Sequence, residues 1–97
     1  MLNSKQRSYL RGLANRISPI FQIGKGGLEE NLIKQVEDAL TARELIKISV
    51  LANSDIDAFE AMDIICSKLK CDGVQVIGNK IIIYKRNKKN QKIELPE

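Results

Sequence analysis

Four consecutive large apolar residues, Ile81 to Tyr84, set the tightest limit on how this chain can fold. Successive side chains of a strand point to opposite faces, so a strand here would carry apolar groups on both faces. Such a strand lies in the centre of a sheet or is covered on both sides. The preceding Gly78-Asn79 suits a two-residue hairpin turn, which predicts antiparallel strands over residues 74–77 and 80–86.

Other segments carry strand or helix patterns of their own. Residues 20–23 form a short β-rich run, and residues 45–51 alternate between apolar and polar side chains, as a half-buried strand does. Apolar residues recur at helical spacing in three further segments, which predicts helices at about 4–16, 28–40 and 59–69. The stripe of the first helix expected to face the core contains Tyr9, Leu10, Leu13, Ala14 and Ile17. The corresponding stripes contain Leu28, Leu32, Ile33, Val36, Ala39 and Leu40 in the second helix, and Phe59, Met62, Ile65, Cys66 and Leu69 in the third.

The order of these elements is α-β-α-β-α-β-β. It predicts an α+β fold, a two-layer sandwich with helices packed on a four-stranded mixed sheet. Both β-α-β connections are expected to join parallel strands by right-handed crossovers. Ninety-seven residues suit a single domain, which we place at residues 1–97. The polar, basic tail over residues 87–97 shows no clear pattern, so its structure stays open and a flexible tail is one expectation.

Charge is distributed unevenly along the chain. Residues 1–27 hold five basic residues and no acid, and residues 80–92 hold six basic residues and no acid. Residues 28–79 hold five basic residues against ten acids. If the two ends meet in space, the molecule has a basic side and an acidic side, which favours a polyanionic partner such as nucleic acid. The alternative is solvated charge without a partner.

Several classes of function lack the residues they need. The chain has no histidine, which removes the commonest general base and metal ligand, and it shows no paired-carboxylate motif. Cys66 and Cys71 are interpreted as a buried thiol and a loop thiol rather than a disulfide, and two thiols alone do not make a zinc site. We therefore expect neither catalytic activity nor a metal or other cofactor. No apolar run is long enough to cross a membrane, and the first residues lack the apolar core of a signal peptide, so a cytoplasmic protein is expected.

Gly24-Lys25-Gly26-Gly27 lies between the first predicted strand and the second predicted helix. A Walker loop is excluded, since it needs Ser or Thr where Gly26 stands. A dinucleotide fingerprint fails at Glu29, where it needs glycine or alanine. A G-x-x-G loop remains, of the kind that lies along RNA phosphates in KH modules. Lys25 favours such a phosphate role, Glu29 and Glu30 weaken it, and a purely structural turn is the alternative.

Three segments in order carry a resemblance to a known family. They are residues 21–28, residues 42–50, and residues 74–78 followed by 81–85. Together they resemble the YhbY-type CRM (chloroplast RNA splicing and ribosome maturation) domain over nearly the whole chain. The resemblance implies a fold similar to the C-terminal domain of bacterial translation initiation factor three, with an added N-terminal helix. It also implies RNA binding without catalysis; stand-alone bacterial members are associated with precursors of the large ribosomal subunit.

The resemblance also implies which residues contact RNA. The G-x-x-G loop of the family corresponds to Gly24, Lys25, Gly26 and Gly27, and its basic surface corresponds to Arg7, Arg11, Lys47, Lys85 and Arg86. The expected partner is RNA, in particular ribosomal RNA in precursors of the large subunit. Few aromatic residues are available for base stacking, Tyr9 and Tyr84 being the candidates outside the phenylalanines, so shape-led recognition is expected. The alternative function is a protein-binding adaptor that docks through its acidic middle segment.

Overall fold

A computed structural model describes residues 2–97 of the chain. Three helices and four strands follow one another in the predicted order, which confirms the α+β fold. Their bounds are α1 Ser4–Ala14, β1 Phe21–Ile23, α2 Glu30–Arg43, β2 Leu45–Val50, α3 Ala58–Leu69, β3 Asp72–Ile77 and β4 Lys80–Tyr84.

The strands form one mixed sheet in the order β1-β2-β4-β3. β1 and β2 are parallel, with Ile23 opposite Val50. β4 is antiparallel to both β2 and β3, so β2 and β3 run parallel with β4 between them. The central position predicted for residues 81–84 is therefore confirmed. The Gly78-Asn79 turn is confirmed as well, with Gly78 at φ 57°, a conformation that glycine adopts readily.

Several helix boundaries differ from the predicted ones by one to three residues. α1 begins after Asn3, whose side chain accepts a 2.8 Å hydrogen bond from the Gln6 N–H while Gln6 Oε1 accepts one from Asn3. These two hydrogen bonds form a capping box, and the helix ends at Ala14 rather than residue 16. α2 begins at Glu30 rather than Leu28, because Gly27 takes φ 68° and Glu29 is extended.

Each face of the sheet supports a separate apolar cluster. Ile81 and Ile83 point to the face that α2 and α3 cover, where Ile23, Val36 and Ile65 are also fully buried. Ile82 and Tyr84 point to the opposite face, which we call the α1 face. The residues that pack against them there include Leu2, Leu10 and Ala14 of the N-terminal segment, Leu45, Val74, and Ile93 and Leu95 of the tail. The N-terminal helix and the end of the tail therefore meet on one face of the sheet.

Three aromatic residues lie differently from their predicted or proposed positions. Phe59 is 66% exposed, because α3 turns a different stripe, Ala58, Ala61, Ile65 and Leu69, toward the sheet. Tyr9 is 43% exposed rather than part of the buried stripe of α1. Tyr84 is only 2% exposed, so it is unavailable as a base-stacking residue.

Glu44 anchors the tail that the sequence left open. This fully buried carboxylate accepts hydrogen bonds from the backbone N–H groups of Asn87 at 2.7 Å, Lys92 at 2.5 Å and Ile93 at 2.6 Å. Gln6 of α1 donates a further bond to the Pro96 carbonyl at 3.0 Å. The tail thus crosses the α1 face of the sheet.

Candidate nucleic-acid interface

The Gly24–Gly27 loop is a tight turn at the end of the edge strand β1. The Gly27 N–H donates to the Gly24 carbonyl at 3.0 Å, and Gly27 has φ 68°. Lys25 is exposed at the tip, and within residues 2–97 the N–H groups of Lys25 and Gly26 donate no hydrogen bond. Two free amides beside an ammonium group can hold an anion.

Glu29 restricts access to this loop. A Cβ added to Gly26 would lie 2.6 Å from Glu29 Oε1, so the carboxylate rests against the position where a phosphate would approach. The Glu29 side chain is exposed, and it makes no capping hydrogen bond to α2. Because no hydrogen bond holds it, the carboxylate can rotate away from the loop at low cost.

Arg7 lies far from the loop. Its Nη1 donates a hydrogen bond to the Gly73 carbonyl on β3, the other edge strand. From the register of the strands, Ile23 and Gly73 are three strand spacings and four residues apart, or about 20 Å. Arg11 is half-buried on the same helix as Arg7, so both belong to the α1 face rather than to the loop.

Lys85 and Arg86 diverge at the end of β4. Lys85 Nζ donates to the Leu69 carbonyl at 2.7 Å, at the C-terminal end of α3, where a cation is favourable. This contact places Lys85 on the α3 side of the sheet, opposite Arg7. Arg86 lines a small surface pocket together with Leu2, Gln6 and other residues of the α1 face. The residues predicted for RNA binding therefore form separate groups rather than one patch.

Lys47 is grouped with two residues absent from the predicted basic surface. It lies on β2 with its side chain toward the α1 face, where Arg16 and Arg43 approach the same cavity of about 360 Å³. Arg16 follows α1 and Arg43 ends α2, so the three cations come from distant parts of the sequence. The only sequence signal for including Arg16 and Arg43 was that each lies near the end of a predicted helix. Basic residues are common there because they interact favourably with the helix dipole, so the signal does not indicate binding.

Cys66 and Cys71 are in contact as free thiols. Both are half-buried, and Cys71 Sγ donates to Cys66 Sγ at 3.6 Å. The pKa of the Cys66 thiol is lowered, chiefly because of this hydrogen bond from Cys71. The pKa of Cys71 is raised by the same bond and by burial. Cys66 is therefore the sulfur that carries more thiolate near neutral pH.

We expect iodoacetamide to alkylate Cys66 before Cys71 at pH 7.5, because the thiolate is the reactive form. Replacing Cys71 with Ala removes the donor and should slow labelling of Cys66 by about three- to tenfold, as the Cys66 pKa rises. Peptide mass spectrometry over time measures both sites. Faster labelling of Cys71, or an unchanged Cys66 rate in Cys71→Ala, would contradict the assignment.

Residues 2–97 lack two further kinds of feature. Within residues 2–97, no three His, Cys, Asp or Glu side chains cluster as metal ligands would. Over the same residues, no helix is long and apolar enough to cross a bilayer.

Comparisons with known proteins give consistent matches over the whole fold. The sequence profile of the CRS1/YhbY (CRM) domain matches residues 2–85. A Bacillus subtilis protein named "Probable RNA-binding protein YqeI" is 48% identical over 99% of this chain and 100% of the relative. A Haemophilus influenzae protein named "RNA-binding protein" is 35% identical over 98% of this chain and 95% of the relative. The solution structure of a Staphylococcus aureus protein, described as a candidate RNA-binding protein, has a TM-score of 0.82 and 52% identity, covering 99% of this chain and 100% of that one.

Proposed function

The chain belongs to the CRS1/YhbY (CRM) domain family, and from this premise we propose that it binds RNA during assembly of the large ribosomal subunit. The observation that carries the RNA-binding part is the separation of charge across the sheet. α1 carries three basic residues and no acid, Arg86 reaches the same face of the sheet, and Arg16, Arg43 and Lys47 line a cavity there that has no acidic residue. On the other face, α2 carries three acids and two bases, and α3 carries two acids and one base.

The proposed mechanism is electrostatic docking of RNA phosphates. The free N–H groups of Lys25 and Gly26, together with the Lys25 ammonium, hold one part of the backbone. Arg7, Arg11 and Lys47 hold other parts along the α1 face. With Tyr84 buried and Tyr9 exposed, base stacking on tyrosine is restricted to Tyr9, so recognition depends mainly on RNA shape.

Lys25→Ala tests the loop. Loss of one phosphate contact should weaken binding of a single-stranded RNA about five- to eightfold at 0.1 M salt, and should reduce the slope of log K against log salt by about 0.7–0.9. Fluorescence anisotropy with a labelled RNA at several salt concentrations measures both quantities. Lys68→Ala is the matched control, since Lys68 is an exposed lysine on α3. If Lys25→Ala binds like the wild type, the loop is only a turn.

The ribosomal part of the proposal needs an experiment in cells. Crosslinking followed by sequencing of the bound RNA should enrich large-subunit ribosomal RNA, with reads from unprocessed precursor ends. Enrichment of unrelated RNA would remove the assembly role while leaving RNA binding intact. We further propose that the protein acts by binding alone, without catalysis, and in the cytoplasm; the absence of histidine supports the first of these.

A protein-binding adaptor is the second candidate, and one observation favours it. Phe59 is 66% exposed on the acidic side, two residues after Asp57 and beside Glu60 in sequence. An exposed aromatic residue with a charged rim is typical of a protein contact. Nuclease treatment separates the candidates: an adaptor keeps its protein partner after RNA is digested, and Phe59→Ser releases it.

A further inference from the structure

The α1 face contains an apolar cavity of about 360 Å³, near the lower end of the volumes of small-ligand pockets. Leu13 and Ile17 form one wall and Ile93 of the tail another, while Leu45 and Ile46 come from β2. Its rim includes Ile20, an isoleucine that is 36% exposed. A pocket with an exposed apolar rim favours an occupant with an apolar surface.

Three cations surround this apolar space. Arg16, Arg43 and Lys47 line the cavity, and none of its lining residues is acidic. The one salt bridge formed within residues 2–97, between Lys34 and Asp38, involves none of them. Three unpaired cations around an apolar pocket complement a ligand that is apolar in one part and anionic in another. An arginine guanidinium can also stack on the face of a base.

The cavity lies beside the edge of the sheet that leads to the glycine loop. The Ile20 N–H donates to the Lys47 carbonyl at 2.9 Å, and β1 then runs from Phe21 to Ile23. The four steps along the chain from Ile20 to Gly24 span about 13 Å in an extended conformation. A single strand of RNA that follows this edge would pass both the cavity and Lys25.

We propose that this cavity receives one unstacked nucleobase of a single-stranded RNA segment, while Arg16, Arg43 and Lys47 hold the adjoining phosphates. The proposal rests on the proposed RNA binding and adds base contact to it. Such a pocket would give the protein a preference among bases without the need for exposed aromatic residues. Aliphatic side chains would contact the faces of the base, and the pocket walls would limit its size.

Methyl NMR spectra test occupancy directly. We expect adenosine, guanosine, cytidine or uridine 5′-monophosphate to shift the methyl signals of Leu13, Ile17, Ile20 and Ile93 through the ring current of the base. Ribose 5-phosphate, which has the same phosphate but no base, should leave these signals without such shifts. The methyl signals of Ile77, which is 47% exposed on β3 and does not line the cavity, should stay in place with every probe.

RNA binding by variants tests the consequence. Ile20→Ser should weaken binding of a labelled single-stranded RNA about three- to tenfold, the range expected for partial loss of one base contact. The salt slope should not change, because no ionic contact is lost. Ile77→Ser is the matched control and should bind like the wild type. Arg43→Gln should weaken binding and also flatten the salt slope.

The outcomes separate this proposal from the function on which it rests. If nucleotides and ribose 5-phosphate act alike, or if Ile20→Ser binds RNA like the wild type while Lys25→Ala is weakened, the base pocket is wrong and RNA binding stands. If an acidic, leucine-containing peptide shifts the cavity methyls and nucleotides do not, the cavity is a protein-docking site and the assignment is overturned. If the wild type binds no RNA at any salt concentration, both proposals fail.

Discussion

Glu44→Ala is expected to lower the free energy of unfolding by about 3–5 kcal/mol. The buried carboxylate accepts three backbone N–H groups, and hydrogen bonds to a charged group contribute about 1.5–3 kcal/mol each. The loss should be smaller than the full sum, because the freed tail can move and expose its N–H groups to water. Urea denaturation followed by circular dichroism measures the change.

Two further substitutions define the cause of this destabilisation. Glu44→Gln keeps one oxygen acceptor without the charge, so it should fall between the wild type and Glu44→Ala. Glu37→Ala removes an exposed glutamate from the same helix region and should change stability by less than about 0.5 kcal/mol. An effect of Glu44→Ala as small as that of Glu37→Ala would show that the tail is not anchored by this carboxylate.

RNA affinity should fall about 300- to 2,000-fold when monovalent salt rises from 50 to 200 mM. The estimate assumes about six phosphate contacts, each contributing about 0.7–0.9 to the slope of log K against log salt. The α1 face offers this number of cations, namely Arg7 and Arg11 of α1, Arg86, and the three that line the cavity, Arg16, Arg43 and Lys47. Anisotropy titrations at four or more salt concentrations give the slope.

The same titrations of variants separate the glycine loop from the acidic face. Lys25→Ala should reduce the slope, whereas Lys68→Ala should leave it unchanged. A wild-type slope shallower than about −2 would mean that about three phosphates or fewer are contacted. In that case the α1 face is not the main RNA surface, and the adaptor hypothesis becomes the stronger one.

Local patterns were sufficient for most of the fold. Three features depend only on neighbours in sequence: the alternation in β2, the Gly78-Asn79 turn and the apolar run from Ile81. The strands and the central position of β4 could therefore be predicted from them. Phe59 was misplaced because helical spacing fits two overlapping stripes of α3, and the sequence alone does not show which of them faces the sheet. Ala58 and Ala61 lie on the buried stripe with Ile65 and Leu69, and Phe59 lies outside it.

Only part of the candidate interface could be predicted from the sequence. The glycine loop is contiguous, so its residues and their turn were visible, and so was the charge of the two chain ends. The contacts of Lys85 with Leu69 and of Arg7 with Gly73 could not be predicted, because each joins segments far apart in the chain. The groups around Lys47 are separated in sequence for the same reason.

The amino-acid sequence is sufficient to predict the order of elements, the central strand, the glycine turn and the presence of basic ends. Each of these depends on residue type and on spacing over a few positions. Tertiary structure alone decided that both ends cover the same face of the sheet, that Glu44 holds the tail, and that Arg16, Arg43 and Lys47 surround one cavity. These features arise when packing brings distant segments together, and local periodicity carries no information about which segments meet.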